Sequence, residues 1–241
     1  MNNRNYLLLV SVLAAACCGC SQTSVVSKYY RGKDVHAKQF AILPYTITIK
    51  NEEDVVKFLG AGDPDVVYGS FFEYTLARTL RDHSRIDSII FLKKRPVGPL
   101  ADRRLRIKKD FIITMSLPKD GETLLIDSVK PDFLLFIGKF SVSRKMIVSY
   151  VPGKERDPLR PGEPPRMRTE STKGPVCQVM DFAIWDNVNG WIASYGQVNS
   201  DVEGDKYSNV ITRKAWTNSI REAARDLLKN SPFYSENEKS E

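Results

Sequence analysis

The chain has 241 residues, of which 42% are hydrophobic, 10% aromatic and 27% charged. That length supports one large domain or two small ones, and the balance excludes a largely disordered chain, a fibrous repeat and a multi-pass membrane protein. The formal net charge is +7, and four cysteines are too few for a disulfide scaffold of this size.

Three of those cysteines, Cys17, Cys18 and Cys20, crowd together near the start. Before them stand a short polar stretch with one cation, Arg4, then an apolar run from Tyr6 to Leu13 that ends in Ala14-Ala15-Ala16. The run is about half the ~20 residues that a bilayer-spanning helix needs. A positive start, a short apolar run and small residues at its end describe a secretory signal peptide over 1–16. Leu13-Ala14-Ala15-Ala16-Cys17 resembles the lipobox of bacterial lipoproteins, although Ala14 stands where leucine is usual. The resemblance implies that Cys17 is acylated, with Cys20, which follows Gly19, as the runner-up. An ordinary cleaved signal peptide is the alternative, and it leaves the clustered cysteines unexplained. Two or more acyl chains anchor durably, at about 0.8 kcal/mol per buried methylene.

Residues 17–38, rich in Ser and Lys, read as a lipidated tether because they show neither helical nor strand period. Phe40 to Tyr45 predicts a buried strand closed by Pro44, continued with alternation over Thr46 to Ile49. Asn51 is a candidate cap for a short helix over Val55, Val56, Phe58 and Leu59, ended by Gly60. Asp63-Pro64 reads as N-cap and first residue of a second helix whose stripe is Tyr68, Phe72, Thr75, Leu76 and Leu80. Strands are expected at Ile86 to Leu92 and Asp110 to Met115. Asp120 or Ser116 then opens a helix containing Leu124, Leu125, Ile126 and Val129 that must stop before Pro131.

Further on, Leu134, Phe136, Gly138, Phe140 and Val142 alternate with Lys139, Ser141 and Ser143, which predicts one apolar and one wet face. Val176, Met180, Phe182 and Ile184 repeat the pattern. Asp186 to Gly190 is a hairpin turn, Trp191 to Val198 the returning strand. Tyr207 to Lys229 is a helix with a stripe at Ile211, Ala215, Trp216, Ile220, Ala223, Leu227 and Leu228. The order β-α-β-(β)-α-β-β-β-α implies a single α+β domain over 39–233, a mixed sheet with a long antiparallel hairpin and helices packed on it. The tail, 234–241, is expected to be disordered.

That order carries a second resemblance. Phe40-Ala41-Ile42-Leu43-Pro44-Tyr45 resembles the "AVLPF" opening of several periplasmic domains: the curli secretion lipoprotein, the lipoprotein activators of penicillin-binding proteins and the amino-terminal domain of the TolB protein. Pro131-Asp132-Phe133-Leu134-Leu135 is similar to their "ADYLL" strand. Trp185-Asp186-Asn187-Val188-Asn189-Gly190 is similar to their "W-D-x-x-T-G" hairpin, with Asn189 where threonine is usual. The resemblance implies the same α+β class and an envelope setting; one fold hosts many functions.

Charge is concentrated. Residues 93–109 hold eight cations, Lys93, Lys94, Arg95, Arg103, Arg104, Arg106, Lys108 and Lys109, against one acid, Asp102. They read as a basic loop that is either simply solvated or meets anionic lipid headgroups, an acidic polymer or an acidic protein. Arg103, Arg104, Arg106, Lys108 and Lys109 are the candidate contacts. Nucleic acid is disfavoured for an exported chain whose cations have no interleaved aromatics. Residues 152–175 carry Pro152, Pro158, Pro161, Pro164, Pro165 and Pro175 and form a long excursion, either idle or a partner contact.

Chemistry is harder to find. His36 and His83 have no second His or Cys at ligand spacing, so neither a metal site nor a cofactor is expected. Cys177 reads as a buried, inert thiol, with pairing to Cys18 or Cys20 left open. His83-Ser84 are neighbours that do not face each other, and no G-x-S-x-G elbow exists. Gly60-Ala61-Gly62-Asp63 lacks the lysine of a phosphate loop. Asp181, Asp186, Asp201 and Asp205 read as strand and turn acids, Trp185 and Trp191 as packing residues or, if exposed, a small docking patch. The expectation is a non-enzymatic lipoprotein on the periplasmic face of the outer membrane, binding an envelope partner. A subunit of an oligomeric secretion or export assembly and an envelope hydrolase with an unrecognised site are the alternatives.

Overall fold

The structure, a computed structural model, describes residues 23–33, 35–50, 59–60, 62–94, 98–126, 130–152, 167–202, 211–229 and 231–234. At 23, 145–147, 149–152 and 167–173 it describes the backbone alone. The chain runs β1 (Thr23–Val26), β2 (Ala37–Ile42), β3 (Ile47–Ile49), α1 (Pro64–His83), β4 (Ile86–Phe91), β5 (Leu100–Lys108), β6 (Phe111–Pro118), β7 (Phe133–Pro152), β8 (Met167–Asp186), β9 (Trp191–Val202) and α2 (Arg213–Lys229). It is a single α+β domain built on a mixed seven-stranded sheet.

The sheet order is β1-β9-β8-β7-β2-β4, with β3 also on β7. β7, β8 and β9 form an antiparallel meander with β1 antiparallel on its edge, whereas β2, β3 and β4 run parallel to their neighbours. Parallel strands need crossovers, and the two crossovers take opposite faces. Between β3 and β4 the chain crosses by α1, which packs with α2 on one face over Phe40, Ile42, Phe140, Phe182 and Ile184. Between β4 and β7 it crosses by the separate hairpin β5–β6, which covers the other face over Ala41, Leu43, Leu134, Phe136, Ala183 and Trp185. Buried from both sides, β2 reads as an unbroken apolar run from Phe40 to Leu43.

Local chemistry sets the helices. Asp63 caps α1 by accepting from the Asp65 amide at 3.0 Å, and Pro64 occupies the first turn, where its missing N–H costs nothing. Tyr68, Phe72, Thr75, Leu76 and Leu80 are all buried, as the spacing predicts. On α2 the stripe Trp216, Ile220, Ala223, Leu227 and Leu228 is buried. Ile211 is buried just ahead of the helix, and Ala215 is half-buried. The turn after β8 falls where expected, with Gly190 at φ +76°.

Five expectations are corrected. Much of the tether belongs to the domain: Thr23–Val26 pairs with β9, Tyr30 is buried, and β2 already begins at Ala37. The basic loop is in large part strand β5, paired along its length with β6. No helix opens at Ser116 or Asp120. Ser116 lies on β6, and Leu124 is held extended by Asn187, whose side-chain amide takes the Leu124 N–H at 2.6 Å and donates to its carbonyl at 2.9 Å.

The two remaining corrections concern β7 and β8. Phe136 and Phe140 face opposite cores, because Gly138 and Lys139 bulge out opposite Asp181 and shift the alternation by one. Phe133, Leu135 and Ile137, on the face expected to be wet, are buried. The proline-rich excursion is also shorter than expected, since Met167 to Pro175 lie on β8. The cysteine cluster, the short helix over 51–58, residues 153–166, Asp205, Tyr207 to Val210 and the tail from Ser235 lie outside the described residues.

Candidate functional site

Alternation along β5 sorts its side chains onto two sides. Leu105 turns inward with Ile113, Met115 and Leu117 of β6 to pack on Leu134, Phe136, Ala183 and Trp185. Asp102, Arg104 and Arg106 turn outward, Lys108 lies past the register shift opposite Phe111, and Lys109 follows in the turn; Asp102 and the four cations are all exposed. Their cross-strand neighbours are Thr114 for Arg104 and Ile112 for Arg106. A register shift between Arg106 and Lys108 locally re-aims the strand. Among the described residues none of the four cations has an ion-pair partner.

Arg103 separates from this group. It is only partly exposed and turns to Asp120, donating to its two carboxylate oxygens at 2.7 and 3.2 Å and to the Pro118 carbonyl at 3.3 Å. The sequence reading placed it among the surface contacts; here it braces the far end of β6. Asp102, the lone acid of the stretch, accepts from the Ser116 hydroxyl. Tyr195 on β9 donates to the Arg106 carbonyl at 2.9 Å and so ties the middle of β5 to the sheet, and burial raises that phenol's pKa. The sequence singles out no role for Tyr195 and offers Asp120 only as a helix opener, because their partners lie far along the chain. The outward placement of Arg104 and Arg106 was detectable: Arg104-Leu105-Arg106-Ile107 alternates polar and apolar.

The other candidates do not converge. His36 Nε2 lies 2.7 Å from Asp87 Oδ1, whereas His83 sits at the end of α1 near Arg225. Cys177 is half-buried on β8. Asp181 is buried, accepts from Gln197 Nε2 at 2.7 Å, and has its pKa raised by burial against the pull of that bond and of Lys139. Asp186 organises the turn, accepting from the Val188 and Asn189 amides at 2.8 Å and from Tyr30. Trp185 is wholly buried in the second core, as a packing residue would be. Trp191 is 40% exposed and packs on Tyr29, with its Nε1 donating to the Tyr30 hydroxyl at 3.2 Å.

A cleft of about 260 Å³ opens between β6 and the β7 bulge, lined by Leu43, Pro44, Thr114, Ser116, Phe136 and Lys139. It holds one cation and hydroxyls, with no base or thiol among its lining residues. Among the described residues no three His, Cys, Asp or Glu side chains gather as metal ligands would, and no helix is long and apolar enough to cross a membrane. The outer side of the β5–β6 hairpin is therefore the strongest functional candidate. No protein-family description, curated protein or solved structure matches the chain.

Proposed function

We propose that the chain is a lipid-anchored protein of the bacterial envelope that works without catalysis, as a binding or accessory factor in envelope assembly or maintenance. Residues 1–16 direct export, Cys17 carries the lipid (Cys20 being the runner-up), and the domain stands on the periplasmic face of the outer membrane. It meets an anionic envelope component through Arg104, Arg106, Lys108 and Lys109. The observation that carries the reading is the separate hairpin layer, which has one side packed into the core and exposes four cations against two acids, Asp102 and Asp110, on its outer side and turn. Clustered charge without partners carries a self-repulsion cost, and an anionic surface relieves it.

The test is expression of the chain and of a Cys17→Ala variant in a diderm host fed a labelled fatty acid, followed by fractionation. Label and outer-membrane recovery are expected for the parent and lost in the variant. Label kept by the variant moves the anchor to Cys20. No label on either chain overturns the reading.

A further inference from the structure

We infer that the anionic component met by the β5–β6 hairpin is the phospholipid surface of the membrane that holds the anchor, so that the domain lies with its hairpin layer against the bilayer and its helices away from it. The inference rests on the anchored reading above and adds an orientation and a ligand class to it.

Position is the first argument. β5 runs with Cα atoms within 8 Å of both β1 and β9. The Arg106 carbonyl is held by Tyr195, and Tyr195 is the residue paired with Val25 of β1. The basic strand thus lies beside the strand through which the chain enters the domain. Cys17 precedes Thr23 by six residues, which can span at most about 20 Å. Packed β-layers are about 10 Å apart, so the acylated end can reach the level of the hairpin's outer side.

Chemistry is the second argument. On β5 the outward residues are Asp102, Arg104 and Arg106; Lys108 and Lys109 follow them, exposed, with Asp110 beside them in the turn and exposed Ile112 across from Arg106. Asp102 is taken by the Ser116 hydroxyl, and the four cations outnumber the two acids. The helical side spreads Asp65, Glu73 and Asp82 on α1 and Glu222 and Asp226 on α2 among its cations. Each cation near an anionic bilayer adds to the attraction. Four clustered cations suit a smooth, laterally mobile array of phosphates, which needs no matching pattern of carboxylates. An acidic protein would need one.

The test is lysine footprinting by an amine-acylating reagent and mass spectrometry, on the full chain purified from a lipidating host and reconstituted into vesicles. One set is phosphatidylcholine alone; the other also contains phosphatidylglycerol. Lys108 and Lys109 are expected to lose reactivity severalfold in the anionic vesicles, while Lys33 and Lys38 keep theirs. In 1 M salt, where the Debye length falls to about 3 Å, the protection should disappear. Equal reactivity in both vesicles overturns the inference, and so does protection that appears only when a soluble acidic protein or polymer is added. The mass of the Cys17 peptide reads the anchor separately: an acylated chain without protection sinks the orientation and keeps the anchor, whereas an unacylated chain protected only by anionic vesicles does the reverse.

Discussion

Tyr68 and Gln178 meet inside the larger core, the phenol on α1 donating to Gln178 Oε1 on β8 at 2.8 Å. The same amide donates to Ser219 Oγ on α2 at 2.9 Å, and Ser219 donates to Ser200 Oγ on β9 at 3.0 Å. All four side chains are buried, so the chain of bonds joins both helices to the middle of the sheet. Leaving a buried polar group unpaired costs about 1–3 kcal/mol. Gln178→Leu orphans Tyr68, leaves Ser219 only its bond to Ser200, and is expected to lower stability by about 2 kcal/mol in urea unfolding. Adding Tyr68→Phe should cost less in that background than in the parent chain; strict additivity of the two would refute the coupling.

The turn at Gly190 is closed by a backbone approach. Gly190 has φ +76°, and a Cβ there would meet Gly121 backbone atoms at 2.6 and 2.7 Å. Gly121 also has positive φ, +86°, yet a Cβ there meets nothing within 4 Å. Gly121→Ala should therefore cost only the conformational term, about 1 kcal/mol, whereas Gly190→Ala should cost clearly more because backbone must move. Equal losses in thermal or urea unfolding would show that the loop at 119–126 yields freely.

Burial, and secondly its bond to Asp186, pushes the Tyr30 phenol pKa well above its usual value. Burial also raises Tyr45, which faces Glu73, and Tyr68. A phenol raised in the folded state keeps its proton there longer than in the unfolded chain. Its contribution is full below about pH 10, the unfolded value, and is lost as pH rises beyond it. Stability should fall steeply above about pH 10, and Tyr30→Phe should flatten that fall. A slope unchanged by the substitution would exclude Tyr30 as a contributor.

Asp181 is raised by burial, which for a carboxyl means stability present at low pH and lost as pH rises through the folded value. Asp181→Asn keeps an acceptor for Gln197 and removes the buried charge. The variant is expected to be more stable than the parent at neutral pH, with the difference fading below about pH 4, the unfolded carboxylate range. A destabilised variant at pH 7 would mean that the Lys139 attraction outweighs desolvation.

Reversing Arg104 and Arg106 to glutamate should leave the unfolding free energy in urea within about 0.5 kcal/mol of the parent, since exposed substitutions rarely do more. Arg103→Glu is the contrast: it places a carboxylate against Asp120 and should destabilise by about 1 kcal/mol. If the first pair proves the more damaging, those cations serve the fold.

Much of the fold was legible because its periodicity is local. The stripe from Tyr68 to Leu80, the Asp63-Pro64 cap, the amphipathic α2, the pattern Val176-Met180-Phe182-Ile184 and the Asp186 to Gly190 turn each follow from neighbouring residues alone. The export and anchor reading likewise rests on consecutive residues, Leu13 to Cys17. Five things depended on partners distant in sequence: β1 found β9, Asn187 kept Leu124 out of a helix, the bulge opposite Asp181 reversed Phe140, Arg103 turned to Asp120, and Tyr195 fixed β5 beside β1. Periodicity reports which side of an element is apolar. It cannot report which strand lies next to which, because that is decided by how two cores, one on each face of a single sheet, are filled at once.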